Sequence, residues 1–176
     1  KLPESVPGTS VDRQCGSSQQ ALHFAAATVM SGMMDVVIAA GVESMTRVPM
    51  ALPFTAAMDA GAGNYVSPAI KARYPGVQFS QFAGAEMIAA KHDLSRDALD
   101  EFGFGSQQKG AAATKANAFA NEIVAVTGLD GENNPIEHVV DEGIRFEATL
   151  EATKSVKLLS EGGRLTAATS SQICDG

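Results

Sequence analysis

One cysteine, Cys15, follows the polar residues Asp12–Gln14, precedes the small residues Gly16–Ser18 and stands directly before a helix-forming stretch. Helix N-termini carry partial positive charge and unpaired N–H groups, which favour a nucleophilic thiolate. Gly16 and the two serines after it would let a substrate approach the sulfur. A lone cysteine beside an apolar helix is also commonly a small core residue. The residue types alone leave both interpretations open.

A nucleophilic cysteine also needs a base. His23 is the nearest histidine in sequence, but eight helical residues correspond to about 12 Å of rise. We expect His92 and His138 to be solvated and Cys174 to be a structural thiol. The residues therefore predict no Cys–His pair.

The elements around Cys15 predict a βαβ unit. We predict a short strand over 9–13 and a helix over 16–31, which the glycine at position 32 ends. This helix is apolar on nearly all sides, so it should be buried. The apolar run over 35–44 is typical of a strand covered on both faces of a parallel sheet. Together they imply a layered α/β core.

The later sequence is less regular. Prolines and glycines interrupt residues 45–79, which favours a functional loop or an insertion. Helices are predicted over 82–92 and again after Ser95, a candidate N-cap. A strand is predicted over 121–128, and the sequence ends in a turn, a short strand and a serine-rich loop.

Composition narrows the function classes. The 176 residues carry a net charge of −7 without a Lys/Arg cluster, which argues against nucleic-acid binding. No apolar run approaches the roughly 20 residues that span a membrane. Two distant cysteines form neither a disulfide framework nor a metal-ligand cluster, so a cytoplasmic location is expected. Anionic small molecules remain possible ligands.

The cysteine stretch resembles a known family. "VDRQCGSSQQAL…GMMDVVIAAGVESMTRVP" is similar to the signature around the acyl-accepting cysteine of thiolases, which include acetyl-CoA acetyltransferases and 3-ketoacyl-CoA thiolases. "AGAEMIAAKHDLSRDALDEF", "GIRFEATLE" and "GGRLTAATSSQICDG" resemble further family segments in the family's order. The resemblance therefore runs from end to end.

The resemblance implies acyl transfer through a cysteine. Cys15 matches the nucleophile, which takes an acyl group from acyl-CoA or 3-ketoacyl-CoA, and its backbone N–H is expected to bind the oxyanion. Coenzyme A or the enolate of acetyl-CoA then accepts the acyl group. Arg145 matches an arginine at the nucleotide end of coenzyme A, and Ser171 a serine beside the pantetheine chain. Coenzyme A is a substrate, and no prosthetic group or metal is implied.

The resemblance also implies an architecture. The fold class is α/β, with part of a layered α/β/α/β/α core and an inserted α+β loop domain. Residues 1–44 would belong to the N-terminal core domain, 45–160 to a loop domain covering coenzyme A, and 161–176 to a return strand and the serine loop. A homodimer or homotetramer is expected, with no nucleic-acid or membrane partner.

Some residues depart from the family pattern near the expected acyl and pantetheine channel. These are Ser80, Gln81, Phe82, Met87, Ala168, Thr169 and Ser170. They argue against acetoacetyl-CoA as the preferred substrate. The segments "DRQCGSSQQ" and "TAATSSQ" resemble those of degradative thiolases of β-oxidation type, which act on longer or bulkier 3-ketoacyl groups, including steroid-derived ones.

The family's C-terminal domain, with its activating histidine and second cysteine, is expected to follow residue 176. We therefore expect the 176-residue chain alone to be inactive. Two alternatives are a ketoacyl-ACP synthase, which "ESMTRVP" and the long insertion disfavour, and a non-catalytic fragment that only binds coenzyme A or a partner chain.

Overall fold

The computed structural model describes residues 2–175, which form two units. The first unit contains the described residues of Lys1–Tyr65 and Ile173–Gly176, and the second contains Val66–Gln172. Within these residues lie six α-helices, two short 3₁₀ turns and two strands.

The first unit is built around one long helix. A 3₁₀ turn at Gln14–Gly16 leads into helix α1, Ser17–Met30. Gly32 follows with φ +73°, a left-handed conformation that ends helices and that glycine adopts without strain. The predicted helix and its glycine stop are therefore confirmed. Helix α2, Leu52–Asp59, lies within the predicted irregular region.

The predictions of two strands in this unit are wrong. Residues 9–13 and 35–44 form no strand, and α1 has no buried residue although burial was predicted. A strand exists only when its backbone N–H and C=O groups pair with another strand, and apolar side chains are buried only when other elements cover them. The described residues of this unit supply neither. The layered core therefore stays a prediction.

Helices dominate the second unit, and three of them begin at hydroxyl caps. Ser67, Ser95 and Thr149 each accept a hydrogen bond from a backbone N–H three residues later, at 3.1–3.2 Å between heavy atoms. The helices are α3 (Pro68–Arg73), α4 (Gln81–Lys91), α5 (Arg96–Lys115) and α6 (Leu150–Lys154). The predicted helix over 82–92 and the Ser95 cap are confirmed.

The two strands of the described residues form an antiparallel hairpin, β1 (Val126–Leu129) and β2 (Pro135–His138). Of the strand predicted over 121–128, only residues 126–128 belong to β1. In the connecting loop, Asp130 accepts hydrogen bonds from the backbone and side chain of Asn134 and from the backbone of Glu132. These bonds lower the pKa of the Asp130 carboxyl from its usual value.

An ion-paired cluster joins α5 to α6. Asp100 is fully buried and pairs with Arg96, whose guanidinium also donates to the carbonyls of Lys154 and Val156, each at 3.0 Å. Lys154 in turn pairs with Asp97 at 3.0 Å. Because α6 has only five residues, this cluster holds a helix that is too short to persist by itself.

The chain ends in the predicted turn and serine-rich loop, but the short strand there is reduced to one bridge, between Leu158 and Thr166. Thr166 is fully buried and forms a capping box with Thr169 around the 3₁₀ turn Ala167–Thr169. Among residues 2–175, no helix is long and apolar enough to cross a membrane.

Candidate functional site

Cys15 lies in a closed turn at the start of α1. Asp12 Oδ1 accepts from the Gln14 N–H at 2.9 Å. Ser17 Oγ accepts from the Arg13 N–H at 2.8 Å and donates to the Gln14 carbonyl at 2.6 Å. Gln14 is in the left-handed region, with φ +48°. Three hydrogen bonds therefore tie the backbone of Arg13 and Gln14 to side chains that lie before and after Cys15.

The Cys15 side chain itself is free and exposed. It is therefore not packed in a core in the described structure, where the adjoining helix α1 has no buried residue either. Beside it, a Cβ added at Gly16 would meet nothing nearer than the Arg13 side chain at 3.7 Å. Arg13 is held to one side by a 3.0 Å hydrogen bond to Gln20. The approach to the sulfur is thus open from solvent.

Within the described residues of the first unit, no histidine and no second cysteine pairs with Cys15. His23 is exposed on α1, and Cys174 is free and exposed rather than packed as a structural thiol. His92 and His138 belong to the second unit, where His92 is exposed as predicted and His138, at the end of β2, is half-buried. No group of three or more His, Cys, Asp or Glu side chains in residues 2–175 is arranged to hold a metal.

Arg145 presents its side chain to solvent. Its backbone N–H donates to Gln107 Oε1 at 2.8 Å, which fixes the main chain against α5. Its guanidinium makes no hydrogen bond or ion pair with any described residue. The charge is therefore available to an anionic ligand.

Ser171 is also exposed, and its hydroxyl has no hydrogen-bond partner within the described chain. The next side chain, Gln172, donates from Nε2 to the Gly143 carbonyl at 2.9 Å. Gln107 Nε2 approaches the same carbonyl at 3.5 Å. We call Gln107, Gly143 and Gln172 the Gly143 junction. It ties the segments of Arg145 and Ser171 together within the second unit, whereas Cys15 belongs to the first.

The three residues of the Gly143 junction line part of a half-open cleft of about 920 Å³. Its apolar lining comes from the second half of α5 and from residues 118–125 and 139–144. Neither Arg145 nor Ser171 lines it.

Two residues of this region were not singled out from the sequence. Gln107 contacts residues 36 and 38 positions away, and Glu86 contacts residues 78 and 79 positions away. One sequence contains no local pattern that signals such contacts, so they emerge only from the fold.

Comparison with known proteins identifies the family of this chain. A family model described as the N-terminal domain of thiolase matches residues 1–176. The steroid 3-ketoacyl-CoA thiolase FadA6 of Mycobacterium tuberculosis is 44% identical over 99% of this chain and 42% of that protein. The 3-ketoacyl-CoA thiolases of Saccharophagus degradans and Acinetobacter baumannii are 39% and 37% identical, each over 99% of this chain and 43% of the relative. The chain thus spans less than half the length of these relatives.

Proposed function

Because the chain belongs to the thiolase family and matches its N-terminal domain, we propose that it supplies the nucleophile and coenzyme A contacts of an acyl-CoA C-acyltransferase. Family membership assigns it to an α/β thiolase fold. The observation that carries the proposal is the exposed Cys15 thiol, held in a hydrogen-bonded turn within the family's cysteine signature.

The chemistry proposed for Cys15 is nucleophilic acyl transfer. With acyl-CoA, a bond forms between Sγ and the acyl carbon, and the bond from that carbon to the coenzyme A sulfur breaks. With 3-ketoacyl-CoA, Sγ attacks the keto carbon, and the carbon–carbon bond breaks to leave the enolate of acetyl-CoA, which takes up a proton. Coenzyme A or that enolate then regenerates the thiol.

Coenzyme A binding is proposed for the second unit. The unpaired guanidinium of Arg145 suits the nucleotide phosphates or base, and the free hydroxyl of Ser171 suits an amide of the pantetheine chain. The Gly143 junction, which fixes both backbones, supports this assignment. Coenzyme A is a substrate here and no prosthetic group is required.

The base for Cys15 is proposed to come from outside the first unit. His23 is the one histidine in residues 1–65 and 173–176, and its position along α1 puts it about 12 Å of helix rise beyond the cysteine. A second chain segment or subunit would have to complete the site, in keeping with the proposed homodimer or homotetramer.

The substrate is proposed to be a long or bulky 3-ketoacyl-CoA. The relative named a steroid 3-ketoacyl-CoA thiolase is 44% identical, against 37–39% for two relatives named only 3-ketoacyl-CoA thiolase. We also retain as proposals the division at residues 44 and 160, the degradative direction and the cytoplasmic location.

The proposal is tested on a purified full-length thiolase that contains these residues, by its denatured intact mass after incubation with acetyl-CoA or a longer acyl-CoA. We expect one added acyl group, lost in Cys15→Ala and kept in Cys174→Ala. Cys174 is a matched control because it is also free and exposed. No adduct on the unaltered protein, or an adduct that persists in Cys15→Ala, would refute the proposed nucleophile. Coenzyme A binding without an adduct would instead favour a non-catalytic binding fragment.

A further inference from the structure

Glu86, in the middle of α4, clamps a distant turn. Its Oε1 accepts hydrogen bonds from the backbone N–H groups of Arg164 and Leu165 at 2.7 and 2.8 Å. The carboxylate is half-buried and Leu165 is buried. Bonds from two N–H groups to one ionised oxygen are stronger than neutral hydrogen bonds. They therefore fix the backbone at the point where the chain turns toward Thr166.

The backbone at Gly163 lies close to the Glu86 carboxylate. A Cβ at Gly163 would lie 2.6 Å from Glu86 Oε1 and nearer still to Ser160 Oγ, so these side chains would have to move to admit it. Gly162 is left-handed, with φ +71°. Gly163 thus lets the backbone pass close to the carboxylate, and Gly162 supplies the left-handed conformation of the turn before it.

The clamp is continuous with the serine loop, residues 166–171. Thr166 directly follows the clamped residues and is fully buried. Its carbonyl accepts from Thr169 Oγ1 at 3.1 Å and from Ser170 Oγ at 2.8 Å. A rigid hydrogen-bonded path thus leads from the carboxylate of Glu86 to the residue before Ser171.

Ser171 depends on this path because its own side chain has no hydrogen-bond partner in the described chain. Its location is set by the loop before it and by the Gln172–Gly143 hydrogen bond after it. A shift at Arg164 and Leu165 would therefore move the hydroxyl, even though Glu86 does not touch it.

We propose that Glu86 is a positioning residue for coenzyme A: it sets the backbone of the serine loop so that Ser171 meets the pantetheine chain. This inference rests on the proposed function. Glu86 is a positioning residue and not a catalytic one, because it reaches the ligand only through Arg164, Leu165 and the loop.

Three substitutions test the clamp. Glu86→Leu removes the acceptor and leaves two N–H groups unpaired. Glu86→Asp keeps the charge but withdraws it by one methylene. Glu86→Gln keeps an acceptor oxygen at the same reach. Glu161→Leu is the matched control, because Glu161 lies in the same turn, is exposed and makes no hydrogen bond in the described chain.

We expect the dissociation constant for coenzyme A, measured by calorimetry on the full protein, to rise at least about ten-fold in Glu86→Leu and Glu86→Asp. Glu86→Gln should keep most of the affinity of the unaltered protein for coenzyme A, and Glu161→Leu should bind coenzyme A with unchanged affinity. Amide hydrogen exchange at residues 164–171 should speed up in the same two variants without coenzyme A. Iodoacetamide should alkylate Cys15 at an unchanged rate in all four.

The outcomes separate the inference from the proposed function. If the unaltered protein does not bind coenzyme A, both are refuted. If it binds but Glu86→Asp has unchanged affinity and exchange, the positioning role alone is refuted. A lower melting temperature in Glu86→Leu with unchanged affinity would assign Glu86 a purely structural role and refute positioning. Glu86→Asp keeps the test decisive should Glu86→Leu fail to fold.

Discussion

At the scale of single residues, substitution of Arg145 should change coenzyme A binding without changing the stability of the protein. Its guanidinium is exposed and unpaired among the described residues, so Arg145→Ala should leave the melting temperature unchanged. Loss of a charge-assisted contact should raise the dissociation constant for coenzyme A by about ten-fold. Calorimetric titration with coenzyme A, beside a thermal melt, measures both.

Lys109→Ala is the control for that measurement, because Lys109 is an exposed cation of α5 in the same unit. It should bind coenzyme A with unchanged affinity. Equal weakening by both substitutions would indicate general charge attraction, and no weakening by Arg145→Ala would remove Arg145 from the site.

Part of the candidate site could be identified from the sequence. Cys15 was singled out from its type, its position and the thiolase resemblance, and Arg145 and Ser171 from the resemblance alone; the structure leaves all three side chains exposed. Glu86 and Gln107 were not, because their partners lie tens of residues away and the hydrogen bonds depend on tertiary placement. The roles of all five stay predictions.

At the scale of elements, two of the three glycines inside α5, Gly103 and Gly105, should respond oppositely to the same substitution. A Cβ at Gly103 would lie 2.6 Å from the carbonyl oxygen of Ala168, whereas a Cβ at Gly105 would meet nothing within 4 Å. Gly103→Ala should therefore destabilise the protein by about 1–3 kcal/mol through overpacking. Gly105→Ala should stabilise it by about 0.5–1 kcal/mol, because alanine loses less entropy in a helix.

Chemical denaturation of both variants measures these changes as shifts in the unfolding midpoint. Each glycine serves as the control for the other, because both lie on one helix and gain the same methyl group. Stabilisation by Gly103→Ala would contradict the close packing of α5 on the 3₁₀ turn Ala167–Thr169.

The same contrast explains which elements the sequence could predict. Helix ends are local: Ser95 and Gly32 act on neighbouring backbone groups, and both act as predicted. Strands are non-local, so the apolar run over 35–44 could suggest a strand but could not provide its partner. The hairpin β1–β2 forms because its two strands are close in sequence.

At the scale of the whole molecule, we predict that a polypeptide of these 176 residues alone will not turn over 3-ketoacyl-CoA. The described residues of the first unit offer Cys15 no general base, and the relatives are more than twice as long. A thiolysis assay following loss of 3-ketoacyl-CoA should match the Cys15→Ala variant. Turnover above that variant, by a preparation of verified mass, would show that the base lies within these residues.

The run Val36–Val42, which pairs with no strand in the described residues, has a consequence for the solubility of the 176-residue polypeptide. Val36, Ile38 and Val42 are 81%, 64% and 90% exposed, and no charged residue interrupts the run. Short β-prone segments without charge or proline template intermolecular strand pairing and aggregation. The flanking Asp35 and Glu43 act as gatekeepers, and the net charge of −7 keeps molecules apart. We therefore expect the soluble concentration of a polypeptide of these 176 residues to fall when Asp35 and Glu43 are replaced by alanine.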